Sequence, residues 1–174
     1  MLLRFGFIKN VVKRKEFKMF GLFRLSLKLR LAIDYAKRYI GTVYKWGGDD
    51  PSGFDCSGFV LEVLQAIGII ESKSDYTADA LLRKLNKNEV FKPYKGCLWF
   101  KINMSGKATH VELCLDRFHS IGAKGGDRTC IDAERALALN AFIKIRPIPF
   151  DLSQKDRGVM KIVFIDPFME LRRK

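Results

Sequence analysis

Histidine occurs only twice in this chain of 174 residues, at positions 110 and 119, too few to complete an ordinary zinc site with the cysteines present. The four cysteines, at 56, 97, 114 and 130, include no C-x-x-C pair, which removes the usual metal-clip spacing. A disulfide scaffold is not needed, because a chain of this length can bury an ample core. No stretch reaches the roughly 18 apolar residues that a membrane-spanning helix needs. The opening MLLRFGFIKNVVKRKEFKMFGLF is interrupted by Arg4, Lys9 and the KRKEFK cluster. No small-residue cleavage site follows it, so it does not read as a secretory signal. Neither an internal repeat nor a low-complexity linker is present, and one folded domain is the expectation.

Apolar residues make up 48% and charged residues 29%, the balance of a soluble globular chain. The net charge of +13 is unevenly placed: residues 1–30 carry nine Lys or Arg against one Glu, a net of +8, which leaves +5 for the other 144. Residues 1–26 therefore read as a basic amphipathic arm, with Phe5, Phe7, Ile8, Val11 and Val12 as its apolar side, and residues 27–174 as the domain. Met19 is an alternative start, which would leave the first 18 residues without a role. Such an arm suits an anionic polymer or an anionic membrane surface. No aromatic-plus-basic motif accompanies it, so nucleic acid is the least favoured partner.

Periodicity places helices first and strands afterwards. LKLRLAIDYAKRYIG (27–41) has apolar residues at Leu29, Ala32, Ile33, Ala36, Tyr39 and Ile40, a helical face stopped by Gly41. SGFVLEVLQAIGI predicts a second helix ending near Gly68, and Thr77 caps a third, ADALLRKL. CLWFKI (97–102), ATHVELCLD (108–116) and FHSIGA (118–123) read as strands. DAERALALN returns to helix, and AFIKIRPI and VMKIVFID complete the strands, with Pro147 expected at an edge or strand end. This is the α+β order: N-terminal helices packed on an antiparallel sheet. Cys97 and Cys114, inside strand-like runs, are expected to be buried small hydrophobes, and Cys130 to lie near a turn.

Only Cys56 has a context for chemistry. WGGDDPSGFDCSGFV (46–60) gathers turn residues ahead of it and an apolar helix behind it. A thiol of reference pKa about 8.5 gains thiolate character at a helix start, where unpaired N–H groups favour negative charge. The glycines at 47, 48 and 53 let backbone approach the nucleophile closely and leave room for an extended substrate. His110, inside a strand that can pass the helix start, is the better candidate base.

Y-x-W-G-G followed by FDCSGFV, and HVELCLD about fifty residues on, resemble the NlpC-type cysteine peptidases, papain-like α+β enzymes that cleave the peptide stems of bacterial peptidoglycan. The match covers roughly residues 30–150. It implies Cys56 as nucleophile, His110 as base and Tyr44 as a donor to the oxyanion. Asp55 and Ser57 fall where members hold the free amino end of a stem peptide, and Trp46 is an aromatic wall or core residue, with direct substrate contact as the alternative. The family sets a third group, His, Asn or Gln, on the next strand. Here Gly122 falls at that position, Ser120 shares its strand face, and His119 is the titratable candidate nearby. His119 is the expectation, with Ser120, a backbone carbonyl or a water as alternatives. SIGAKGG and NAFIKIRPI also look like phage-encoded variants.

The function so implied is a cysteine endopeptidase of peptidoglycan stem peptides, acting for instance on the D-glutamyl–diamino acid bond through an acyl-enzyme, with no metal or organic cofactor required. The alternatives are a papain-like amidase or acyltransferase on another substrate, and a degenerate wall-binding or virion structural module. Action at the cell wall is expected, with delivery by phage or export by an unrecognised route.

Overall fold

A computed structural model describes the backbone of residues 2–150 and 159–172 and the side chains of residues 19–150 and 161–172. The chain opens with a long helix, α1 (Leu2–Lys37), which runs through the expected boundary at residue 26 without a break. Its buried positions begin, among the described residues, at Leu25 and continue at Ala32, Ile33 and Ala36, the spacing of one helical face. Ile40, expected on that face, falls beyond the helix end and is 49% exposed. The chain then turns through Gly41, whose φ of +90° suits glycine. The side chains of Phe5, Phe7, Ile8, Val11 and Val12 lie outside the described residues.

The glycine-rich stretch folds as a small hairpin, β1 (Asp49–Asp50) with β2 (Gly53–Phe54), seated on the start of α2 (Cys56–Ala66). A Cβ on Gly58 would stand 2.2 Å from the Gly48 carbonyl oxygen. Backbone does approach the helix start closely, but at Gly48 the space gained is filled by the hairpin and helix themselves, not left for a substrate. At its other end α2 stops before Gly68, whose φ is +64°, and Lys28 of α1 donates to the Ile67 carbonyl. The Tyr35 and Tyr39 hydroxyls both donate to Glu62, tying α1 to α2. Helix α3 (Ala78–Leu85) is capped by Thr77, as the sequence predicts.

A 3-10 turn leads to β3 (Glu89–Val90), then β4 (Leu98–Asn103), β5 (Ala108–Cys114), β6 (His119–Lys124), α4 (Ala133–Ala138), β7 (Phe142–Pro147), β8 (Val159–Ile165) and α5 (Met169–Arg172). Six strands form one antiparallel sheet in the order β3-β8-β4-β5-β6-β7. Pro147 ends the edge strand β7, where its missing N–H costs no ladder bond. No helix among the described residues is long and apolar enough to cross a membrane.

The α+β architecture expected from the element order is the one observed. The main core joins Phe59, Val63 and Leu64 of α2 to Leu98, Phe100, Val111, Leu113 and Ile121 of the sheet. A smaller cluster on the alternate strand positions holds Cys97, Trp99, Cys114 and Ile148. Cys97 and Cys114 are fully buried, and burial pushes the Cys97 thiol up to about 11 and the Cys114 thiol further still. Buried Asp166 closes the C-terminal end: it accepts from the Tyr94 hydroxyl at 2.8 Å, the Phe168 N–H at 2.9 Å and Arg172 Nε at 2.6 Å.

Candidate active site

Cys56 is the first residue of α2, placed there by the N-cap Asp55. One oxygen of Asp55 accepts the N–H groups of Ser57 at 2.9 Å and Gly58 at 2.8 Å, and the Ser57 hydroxyl at 2.9 Å. The cap thus engages the second and third N–H groups of the helix rather than that of Cys56. The thiol sits at the positive end of the helix dipole with its own N–H beside it.

Strand β5 brings His110 to this helix start. Its imidazole shares one cleft with the Cys56 thiol, near enough for the sulfur to raise its basicity, and its Nε2 lies 2.8 Å from Glu112 Oε1, which leaves Nδ1 as the ring nitrogen available to the sulfur. Residues two apart on a strand share a face, so Glu112 lies alongside His110. Burial alone would pull the imidazole down. Hydrogen bonds and charge from Cys56 and Glu112 outweigh it, and His110 is pushed up to about 9. Burial acts to raise the Glu112 carboxyl, but the bond to His110 leads the opposing effects and holds it below the usual carboxylate range.

His119, expected as the third group, does not lie beside His110. His119 begins β6 with its side chain half exposed, and its Nδ1 pairs with Asp116 Oδ2 at 3.2 Å. The β5–β6 pairing sets Cys114 against Ser120 and Leu113 against Ile121 without a bulge, so His119 falls on the face away from His110. Ser120, held open as an alternative, is fully buried, and its hydroxyl donates to Glu112 Oε2 at 2.7 Å. Glu112 was missed in the sequence. Its signal was the H-x-E spacing inside a strand, which sets both side chains on one face; the space that Gly122 leaves for it comes only with the pairing of β6.

Tyr44, Trp46, Asp55, Cys56, Ser57 and His110 all line one cleft of about 530 Å³. Tyr44 is buried, and burial followed by the neighbouring Cys56 pushes its phenol up, which keeps it a hydroxyl donor. Trp46 is 49% exposed at the cleft mouth, with the Arg128 guanidinium 6.0 Å from its ring centre, so it is a wall and not a core residue. Cys130 is buried behind the wall, its thiol donating to the Tyr44 carbonyl at 3.3 Å. Lys101 and Lys124 line the sheet side of the cleft.

A helix-start thiol paired with a sheet imidazole, helices stacked on an antiparallel sheet, defines a papain-like α+β domain. The sequence model of the NlpC/P60 family matches residues 41–145, more than half of the chain, and the chain belongs to that family. A 39-residue segment, 22% of this chain, is 54% identical to the probable peptidoglycan endopeptidase LytE of Bacillus subtilis, of which it spans 12%. The NlpC/p60 domain of the peptidoglycan hydrolase SagA superposes with a TM-score of 0.52 at 22% identity, covering 79% of this chain and 97% of that domain. RipD of Mycobacterium tuberculosis, described as a non-catalytic NlpC/p60 protein adapted to peptidoglycan binding, superposes at 0.53 with 16% identity, covering 78% and 95%. The fold is thus shared by hydrolases and by a binding protein, and the side chains of the cleft must distinguish the two.

Proposed function

We propose that this chain is a cysteine endopeptidase that cleaves amide bonds in peptidoglycan stem peptides, such as the D-glutamyl–diamino acid bond. The observation that carries the reading is the meeting, in one open cleft, of Cys56 at the start of α2 and His110 of β5, whose other ring nitrogen is held by Glu112. A fold shared with a non-catalytic protein supports no activity alone; a helix-start thiol and an imidazole facing the same cleft support it.

The thiol passes its proton to His110 Nδ1, and the thiolate attacks the amide carbonyl carbon. The Cys56 N–H and the Tyr44 hydroxyl, both at the cleft, are the proposed donors to the oxyanion. The imidazolium then returns its proton to the leaving amine as the C–N bond breaks. Water, deprotonated by His110, releases the acyl group from sulfur. Asp55 and Ser57 are proposed to hold the free amino end of the stem. The Asp55 oxygen that is not spent on the helix cap suits an ammonium group. Residues 1–26 are proposed as the segment that meets an anionic polymer or membrane surface, and residues 27–174 as the peptidase domain.

The test is digestion of purified peptidoglycan by wild type and by Cys56→Ala, with fragments identified by mass. Wild type should release stem fragments and the variant none, with unchanged melting. Equal release by Cys56→Ala would end the reading; binding without release by wild type would assign the chain to the wall-binding class instead.

A further inference from the structure

We infer that Glu112 is the positioning residue for His110: its carboxylate, and not a group on the neighbouring strand, fixes the imidazole with Nδ1 toward Cys56 and balances the imidazolium charge. This rests on the thiol-hydrolase reading above and adds to it the group that orients the base.

The polarity of the hydrogen-bond chain is decided at its far end. Trp99 Nε1–H, which can only donate, gives its bond to Ser120 Oγ at 2.9 Å. The Ser120 hydroxyl proton is therefore free for Glu112 Oε2, at 2.7 Å, and Glu112 accepts it. The other oxygen faces His110 Nε2 at 2.8 Å; the neighbouring imidazole and the Ser120 hydroxyl hold the carboxyl below its usual range against burial, so it is ionised and Oε1 accepts as well. His110 must then carry its proton on Nε2, which directs Nδ1 to the sulfur. The carboxyl group is 1% exposed, and a buried carboxylate persists only when its oxygens are engaged. Both are.

The neighbouring strand has been cleared to admit it. Gly122 lies opposite, and a Cβ there would stand 2.4 Å from Glu112 Cγ. The Trp99 ring, 5.3 Å from the His110 ring and inclined at 60°, flanks the imidazole. The charged and titratable groups near this pair are Cys56 from α2, Lys101 opposite His110 on β4, and Lys124 of β6, whose charge also acts on Glu112. An anionic orienting group stabilises imidazolium more than a neutral one does, so His110 should keep its proton to higher pH.

The experiment is alkylation by iodoacetamide against pH in the full chain, mapped to Cys56 by mass; it requires no substrate. Wild-type Cys56 should react near neutral pH, with a second rise in rate where His110 loses its proton. Glu112→Gln keeps shape without charge; its second rise should move down by about one pH unit or more, and peptide release should fall about 100-fold. Glu112→Asp, which keeps the charge, should retain most of the upper value. If Glu112→Gln does not fold, Ser120→Ala carries the test: it removes one donor to the carboxylate, leaves more of the negative charge on the oxygen facing His110, and the second rise should move up. An unmoved profile in a folded variant, with turnover lost only in step with stability, overturns the inference and leaves Glu112 a packing residue. Wild-type Cys56 that stays inert near neutral pH defeats the thiol-hydrolase reading and this inference with it, so the two failures are told apart.

Discussion

Glu112 and Gly122 face each other across β5 and β6, with the missing Cβ of Gly122 occupied by the carboxylate-bearing chain of Glu112. Any side chain at 122 collides with it, since an added Cβ would meet Cγ at 2.4 Å and the carboxyl carbon at 2.9 Å. Gly122→Ala should therefore destabilise by about 1–3 kcal/mol, the usual cost of overpacking, and slow Cys56 alkylation by displacing the carboxylate from His110. In a Glu112→Ala background the added methyl has space, so the same change should cost close to nothing. Denaturant melts of the four proteins in this cycle measure the coupling. Additive effects would mean that the two residues do not share the space.

This pair also marks where the sequence stopped being legible. Cys56 and its helix could be read because turn residues, an N-cap aspartate and an apolar face occur in one continuous stretch. The caps at Thr77 and the strand limits around Trp99, Val111 and Ile121 are equally local. Glu112 depends on register: only when β6 is paired does Gly122 open a space for it, and a resemblance that sets the third group on the next strand points away from it. The extent of α1 was missed for a different reason. The KRKEFK cluster breaks apolar periodicity, yet Lys, Arg and Glu are good helix formers, and the helix continues through them.

The imidazole held at about 9 sets a pH window. Stem-peptide release should hold across neutral pH and decline as pH rises through about 9, where the imidazolium loses the proton that it gives to the leaving amine. Stability follows the same sign. His110 is raised above its ordinary 6.5, so its contribution is complete below that value and is lost as pH rises through about 9. Denaturant midpoints of wild type and His110→Asn between pH 6 and 10 should converge at the alkaline end. A gap that widened with pH would contradict the sign.

Asp166 should matter for folding and not for chemistry. It is fully buried and receives three donors, from Tyr94, Phe168 and Arg172, and none of these lines the cleft. Asp166→Ala leaves those donors without their acceptor, at a cost of about 2–4 kcal/mol, Arg172 being partly exposed and able to find water. Thermal melting should fall clearly, while the rate of Cys56 alkylation below the melt stays at the wild-type value.

The helix α1 contributes its first described buried side chain at Leu25, so a chain beginning at Met19 should keep the fold. It would lose six Lys or Arg and one Glu, a net of +5. Binding to anionic vesicles should weaken, with a shallower salt dependence, and Cys56 alkylation should not change. Co-sedimentation with vesicles of matched neutral and anionic composition reads this directly; equal retention of both chains would remove the anionic surface from the partners of this segment.

Asp55 carries two duties that can be separated by one atom. As N-cap it accepts the Ser57 and Gly58 N–H groups, and as a carboxylate at the cleft it is proposed to receive the ammonium end of a stem peptide. Asparagine caps a helix about as well as aspartate, whereas alanine costs about 1 kcal/mol. Asp55→Asn should therefore melt with wild type and Asp55→Ala below it. The charge duty has a different signature. Loss of a charge-assisted bond worth about 1.5–3 kcal/mol should raise KM about tenfold or more for stem peptides with a free amino end. Peptides acetylated at that end should be weak substrates of wild type and show no further loss in the variant. If Asp55→Asn penalises acetylated and free peptides alike, the carboxylate is acting on Cys56 or the helix start, and recognition of the amino end belongs to another residue of the cleft.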